Sequence, residues 1–302
     1  MTALAMPSAL SGCDIRLEDD APSLPLLSRK SIPDEAVLID AVRRTGALAQ
    51  LAGRVANPAE AVTNLGRLHR TQADVLRGRL TSRGVPNHVI DTPTASTTTS
   101  ATAAVSAPPT ATAADLVAAE TATVAALLPR LGAVTAANLS VLTSVTAFCA
   151  AAVEQLGGTL TWPASDPLPP ASAGRLLDDT RAAEYAFQVV AAQTTGPTRG
   201  AALATATELG VRESELVAMV GAAAAPAPLG YALPFPVTTP ETAARLAAQV
   251  LSSLVAGGLA PVASLAAGSS AVATVVRLEA TAQHLGGGWG VASVPFPGMT
   301  YP

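Results

Sequence analysis

Apolar residues recur at helical spacing through most of the chain. Between positions 35 and 52 they fall at Val37, Leu38, Ala41, Val42, Leu48, Leu51 and Ala52, the stripe of a helix with one buried face. Pro33-Asp34-Glu35 opens that helix with acid in its first turn, and Asn57-Pro58 stops it. A second stripe runs through Val62, Leu65, Leu68, Val75, Leu76 and Leu80, and Gly84-Val85-Pro86 ends it. A third helix is predicted from about Ala114 to Leu131. A fourth runs from about Ala136 to Leu156, closed by Gly157-Gly158. Four more are predicted near 171–195, 197–223, 240–267 and 269–286, so the chain reads as all-α.

The breaks between stripes divide the chain. Residues 92–113 are almost entirely Thr, Ser, Ala and Pro, a composition with nothing to build a core, and read as a disordered loop. In an exported protein such a loop is a candidate for O-linked sugars. Trp162-Pro163-Ala164-Ser165-Asp166-Pro167-Leu168-Pro169-Pro170 reads as a linker, and a second Pro-rich crossing spans Pro226 to Pro240. The expected organisation is a leader and tether at 1–33, a helical bundle at 34–158, a linker at 159–170 and a second bundle at 171–302. The two bundles echo one another. Glu154-Gln155-Leu156-Gly157-Gly158 followed by Trp162-Pro163 resembles Gln283-His284-Leu285-Gly286-Gly287 followed by Pro295-Phe296-Pro297. Arg70-Thr71-Gln72-Ala73-Asp74-Val75 echoes Arg212-Glu213-Ser214-Glu215-Leu216-Val217. Duplication with loops of unequal length accounts for both pairs.

Composition narrows the picture. Of 302 residues, 49% are hydrophobic but only 3% aromatic, so the core is built of small aliphatic side chains and helices approach closely. Charged residues are 13%, about half the usual share. A net charge of −4 gives no reason to expect a nucleic-acid partner. No run of about 18 apolar residues lacks polar interruption, so no transmembrane helix is expected.

Cys13 and Cys149 are the only cysteines. Leu10-Ser11-Gly12-Cys13 follows a short apolar run and looks like a bacterial lipobox, where the cysteine is acylated and the bond before it is cut. No basic residue precedes Arg16, which departs from a signal peptide and points to a true start further upstream. Acylation at Cys13 implies anchoring to the outer face of the cytoplasmic membrane. Residues 14–33 carry Pro22, Pro25 and Pro33 without helical periodicity and read as the tether.

Two stretches resemble a known family. One is Arg181-Ala182-Ala183-Glu184-Tyr185-Ala186-Phe187. The other is Leu229-Gly230-Tyr231-Ala232-Leu233-Pro234-Phe235-Pro236-Val237, leading into Glu241-Thr242-Ala243-Ala244-Arg245-Leu246-Ala247. Together they are similar to an actinobacterial ferritin-like domain of unknown function, over roughly residues 171–290. The Ala- and Arg-rich composition fits actinobacterial coding. The resemblance implies two tandem ferritin-like four-helix bundles with long Pro-rich crossovers, the second copy clearer, and an envelope location. It implies no activity.

A ferritin-like carboxylate site draws a Glu from each of two helices and a Glu-x-x-His from each of the other two. The second bundle offers Glu184 on its first helix, while Glu208, Glu213 and Glu215 lie on its second without any His. Its third helix has no acid beyond Glu241, and Glu279 and His284 on the fourth are five apart, which puts them on different faces. In the first bundle His69 lacks a Glu three residues earlier, and Glu120 and Glu154 stand alone. No cofactor is expected. A mononuclear iron or manganese site at Glu184, Glu279 and His284 is the minor alternative. Otherwise these carboxylates are surface or inter-helix groups, with Arg181, Arg212, Arg245 and Arg277 as partners. Cys149, between Phe148 and Ala150, reads as a small core residue. Gly286-Gly287-Gly288-Trp289-Gly290 follows a helix, so it cradles no phosphate and folds Trp289 back onto the bundle. No catalytic residues are assigned. The expected role is structural or interactive, as an internal pseudo-dimer meeting an envelope protein or a small apolar ligand; the alternatives are a metal-binding or redox protein and a binding module for an apolar molecule.

Overall fold

The computed structural model describes residues 29–92 and 110–299. Cys13, most of the tether and most of the Thr/Ser/Pro/Ala loop lie outside the described residues. Nine α-helices are formed among those described: α1 (Glu35–Ala52), α2 (Glu60–Thr81), α3 (Asn87–Asp91), α4 (Ala113–Leu127), α5 (Ala136–Gln155), α6 (Pro170–Ala192), α7 (Gly196–Val220), α8 (Pro240–Gly257) and α9 (Val272–Gly288). The described residues contain no strand, only an isolated bridge between Val55 and Ala111. The all-α expectation therefore holds.

Eight of the nine helices sit where the apolar stripes predict them. α3 has no stripe of its own. It exists because Ile90 plugs the core and because Arg43 of α1 donates to the carbonyls of Ile90 (2.8 Å), Val89 (3.2 Å) and Thr92 at its C-terminal end, where a cation offsets unpaired carbonyls. The third helix of each half is shorter than its stripe. α4 gives way to a 3-10 turn at Leu128–Ala133 and α8 to another at Ala260–Ser264, each with a proline in its first positions. The proline lacks the N–H that would continue the α-helical ladder.

The two halves repeat one plan. α1 and α2 pack as a hairpin, as do α6 and α7; α4 packs on α5, and α8 on α9. Both third helices open on a threonine capping box, Thr112 with Asp115 and Thr239 with Thr242. The aspartate preceding each first helix reaches across to the start of the fourth. Asp34 accepts from the Thr135 amide (3.2 Å), the Thr135 hydroxyl and Asn138 Nδ2 (2.7 Å). Asp166 accepts from the Ser270 amide (3.1 Å). Sequence reading does not reveal these caps, because they join residues about a hundred positions apart.

The halves meet through like elements. α5 packs beside α9. The turns before them touch where Gly268 N donates to Gly132 O (2.7 Å); a side chain on Gly132 would press on the backbone of Gly268 and Ser269 at 3.3–3.4 Å. At the other end, Gln155 of α5 lies against Gly287 of α9. The two helices thus run side by side in one direction. α5 is buried almost all round, from Asn138 to Val153, which its Ala, Ser, Thr and Cys positions permit. The segment following each fourth helix crosses to the other half. Phe296 is buried in the larger core cluster, to which both halves contribute, and its neighbours are tied to the first half: Gln72 Nε2 of α2 donates to Pro295 O (2.5 Å) and Ser144 Oγ of α5 donates to Pro297 O (2.7 Å). Trp162 and Pro163 face Glu215, Ala218 and Met219 of α7 and Ala273, Thr274 and Arg277 of α9 across a cavity of about 430 Å³.

Three stretches, Ala113–Ala133, Ala136–Gln155 and Pro240–Ser264, meet the length and composition of a membrane span. This departs from the sequence expectation, which counted only uninterrupted apolar runs. In the folded chain 78% of the α5 stretch is interior.

Candidate functional site

Three helices of the first half bring a histidine, a carboxylate and a thiol together. His69 lies on the stripe of α2 that buries Leu65, Leu68, Gln72, Leu76 and Leu80. Glu120 takes a core position of α4 between Leu116 and Val124. Cys149 is the residue of α5 that meets them. All three are fully buried, and their donor atoms lie within 4.8 Å of one another. No other group of three or more His, Cys, Asp or Glu residues converges in this way among the described residues.

The hydrogen bonds fix how His69 is held. Gln72 Nε2 donates to Pro295 O, so its Oε1 faces His69 Nδ1, 2.9 Å away. A carbonyl oxygen accepts only, and Nδ1 therefore carries the proton. In the neutral ring Nε2 then presents its lone pair to Glu120 Oε1 at 2.5 Å. Phe148 stands edge-on to the imidazole, ring centres 5.1 Å apart, and walls that side. Glu120 Oε2 is buried without a hydrogen-bond partner. Burial pushes the Cys149 thiol well above its ordinary range, and the neighbouring Glu120 adds to the effect.

The stripe phase alone could have placed His69 and Glu120 inside their helices. What sequence could not supply was their meeting, across fifty-one positions and two helices. The reading of Glu120 as a lone acid is corrected accordingly. Cys149 is a small buried core residue, as expected.

Glu184, Glu279 and His284 do not form a cluster of this kind. Glu184 sits between α6 and α7, accepting from Gln188 (3.3 Å) and lying against Gly210. Burial raises its carboxyl pKa, and the adjoining Glu213 raises it further. Glu279 is fully buried with both oxygens unpartnered, and burial raises its pKa well above the ordinary carboxylate range. It fits only because Gly258 has no side chain; a Cβ there would overlap the carboxylate. Nδ1 of His284 also lacks a partner, and His284 stands near Glu154 of α5, whose carboxyl pKa burial raises.

The arginines expected beside Glu184 and Glu279 go elsewhere. Arg181 donates to Glu213 (2.7 Å), Arg212 to Glu208 (2.9 Å) and Glu215 (2.8 Å), Arg277 pairs with Glu215 (2.9 Å), and Arg245 stacks 4.1 Å over Phe235. Trp289 does fold back. Its Nε1 donates to Thr205 Oγ1 (3.0 Å) and its ring meets Phe187 at 5.3 Å, after α9 has run on through Gly288.

A third feature is a groove of about 400 Å³ between α6 and α8, mixed in character, with Arg175, Asp179, Gln249 and Ser253 in its walls. Ala183, Ala186, Leu246, Val250 and Leu254 line it, and Tyr231 to Pro234 of the crossing close one side.

No curated protein and no solved structure matches the chain significantly. Residues 175–301, less than half of the chain, match the model of a family described as a domain of unknown function (DUF4439), a span that begins within α6.

Proposed function

We propose that this chain is a ferritin-like double bundle with a structural or interaction role, held by lipid on Cys13 at the outer face of the cytoplasmic membrane. The observation that supports it best is the exchange of segments between halves. The segment around Phe296 is tied to the first half while Trp162 lies on the second, and the fourth helices and their preceding turns meet like with like. Contact of equivalent elements is the signature of a two-fold interface, here fused into one chain as an internal pseudo-dimer. The enclosure of His69, Glu120 and Cys149 fits a role in holding the body together. Expression in a bacterium that processes lipoproteins, with labelled palmitate, tests the anchor. Label and membrane fractionation are expected for the wild type and lost in Cys13→Ala; a wild type that stays unlabelled and soluble overturns it.

The groove between α6 and α8 supports a second reading, a binding module for a small apolar envelope molecule. Its volume is in the range of about 300–1,000 Å³ typical of ligand sites. Native mass spectrometry of the purified chain should show a co-purifying apolar ligand that Ala186→Phe displaces. An identical spectrum for both proteins, without bound mass, rejects this reading.

A further inference from the structure

The enclosed trio in the first half is built to hold a divalent metal ion. We infer that His69 Nε2, the Glu120 carboxylate and Cys149 Sγ form a structural zinc site between α2, α4 and α5, independent of the pseudo-dimer and of the lipid anchor.

The contacts around His69 set up a conflict. Gln72 and Pro295 fix the proton on Nδ1 of His69, so a neutral ring aims a lone pair at a carboxylate oxygen 2.5 Å away. Two acceptors at that distance repel unless a cation lies between them. A proton meets this need for one oxygen only. It leaves Glu120 Oε2 buried and unpartnered, with the Cys149 thiol beside the same carboxylate.

A divalent ion satisfies all of these atoms at once. Ligand atoms around a tetrahedral zinc stand about 3.3–3.6 Å apart, given bonds of about 2.0–2.3 Å. The trio lies within 4.8 Å, and the His–Glu contact, 2.5 Å without an ion, has to open by about 1 Å to admit one. A bidentate Glu120 would use Oε2 as fourth donor. The charge also closes: a dication, a carboxylate, a thiolate and a neutral imidazole sum to zero, the condition for burial without counter-ions. Binding displaces the thiol proton and the one between His69 and Glu120.

The donor set selects the ion. One sulfur, one imidazole and one carboxylate suit zinc, while magnesium and calcium take oxygen ligands. The surroundings are those of a metal-bound histidine, whose other nitrogen donates to an orienting group; here that group is Gln72, itself held by Pro295. With every member at 0% exposure, the ion has to enter during folding and stays until the bundle opens.

The test uses the full chain, produced in zinc-supplemented medium, purified without chelator and measured by elemental analysis. About one zinc per chain is expected, falling at least tenfold in Cys149→Ala and Glu120→Gln. Refolding the wild type in cobalt(II) should give the thiolate-to-cobalt charge-transfer band in the near ultraviolet, and this readout stands even where a variant fails to fold. A folded wild type without metal, equal metal in wild type and Cys149→Ala, or a cobalt spectrum without thiolate character each overturns the site and leaves a shared proton in its place.

Discussion

Glu279 shows how much a single side chain's surroundings decide. It sits in apolar helix packing, with both oxygens unpartnered and Gly258 making room. Because burial raises its folded pKa, the folded chain holds a proton that the unfolded chain releases near pH 4.3. Its contribution is therefore fully present below that pH and declines as pH rises toward the folded pKa. Glu279→Gln should remove this slope and stabilise the chain by about 1–3 kcal/mol near pH 8; urea unfolding at about pH 5 and pH 8 measures both. Gly258→Ala should cost about 1–3 kcal/mol through overlap with that carboxylate. Most of this cost should vanish in the Glu279→Ala background, which a double-mutant cycle reads directly. The sequence did not show this site. Arg277 is two residues from Glu279, but successive helical positions face different ways, and Arg277 turns to Glu215.

Among elements, the helices themselves were legible and their joints were not. The stripes of α1 and α2 lie in the sequence because burial on one face leaves a 3.6-residue period, whereas α5, buried almost all round, is marked by its apolar length between breakers. α3 was missed because five residues are too few to show a period. The caps that set where α5 and α9 begin come from Asp34 and Asp166, far away in the chain. Asp34 sits in the left-handed region at φ 60, a conformation it can adopt while its side chain bonds elsewhere. Burial works to raise its carboxyl pKa, yet the Thr135 and Asn138 bonds and the Arg83 charge together bring it below the ordinary value. Its contribution is thus present above about pH 4 and is lost as pH falls through the folded pKa. Asp34→Ala should cost about 1–2 kcal/mol at neutral pH, and thermal melts should show the difference from wild type shrinking in acid.

For the whole molecule, the echoes between the two halves of the sequence do not reveal the way the halves are tied. The Trp162-Pro163 and Pro295-Phe296-Pro297 echo marks both crossing segments, although nothing in a linear pattern says that each is received by the opposite half. Phe296→Ala empties a 2%-exposed core position and should cost about 3–5 kcal/mol. Because its neighbours are fastened to α2 and α5, amide exchange should quicken there more than in α6 and α8.

That placement also bears on the order of events in synthesis. Pro295 and Pro297 leave the ribosome after every helix of the first half, yet they fasten positions made 223 and 153 residues earlier. The helices of the first half therefore wait, incompletely closed, until the segment after α9 has been made. A chain stopped just after Gly290 should carry an open first half that proteases cut, even though every helix of that half is already present.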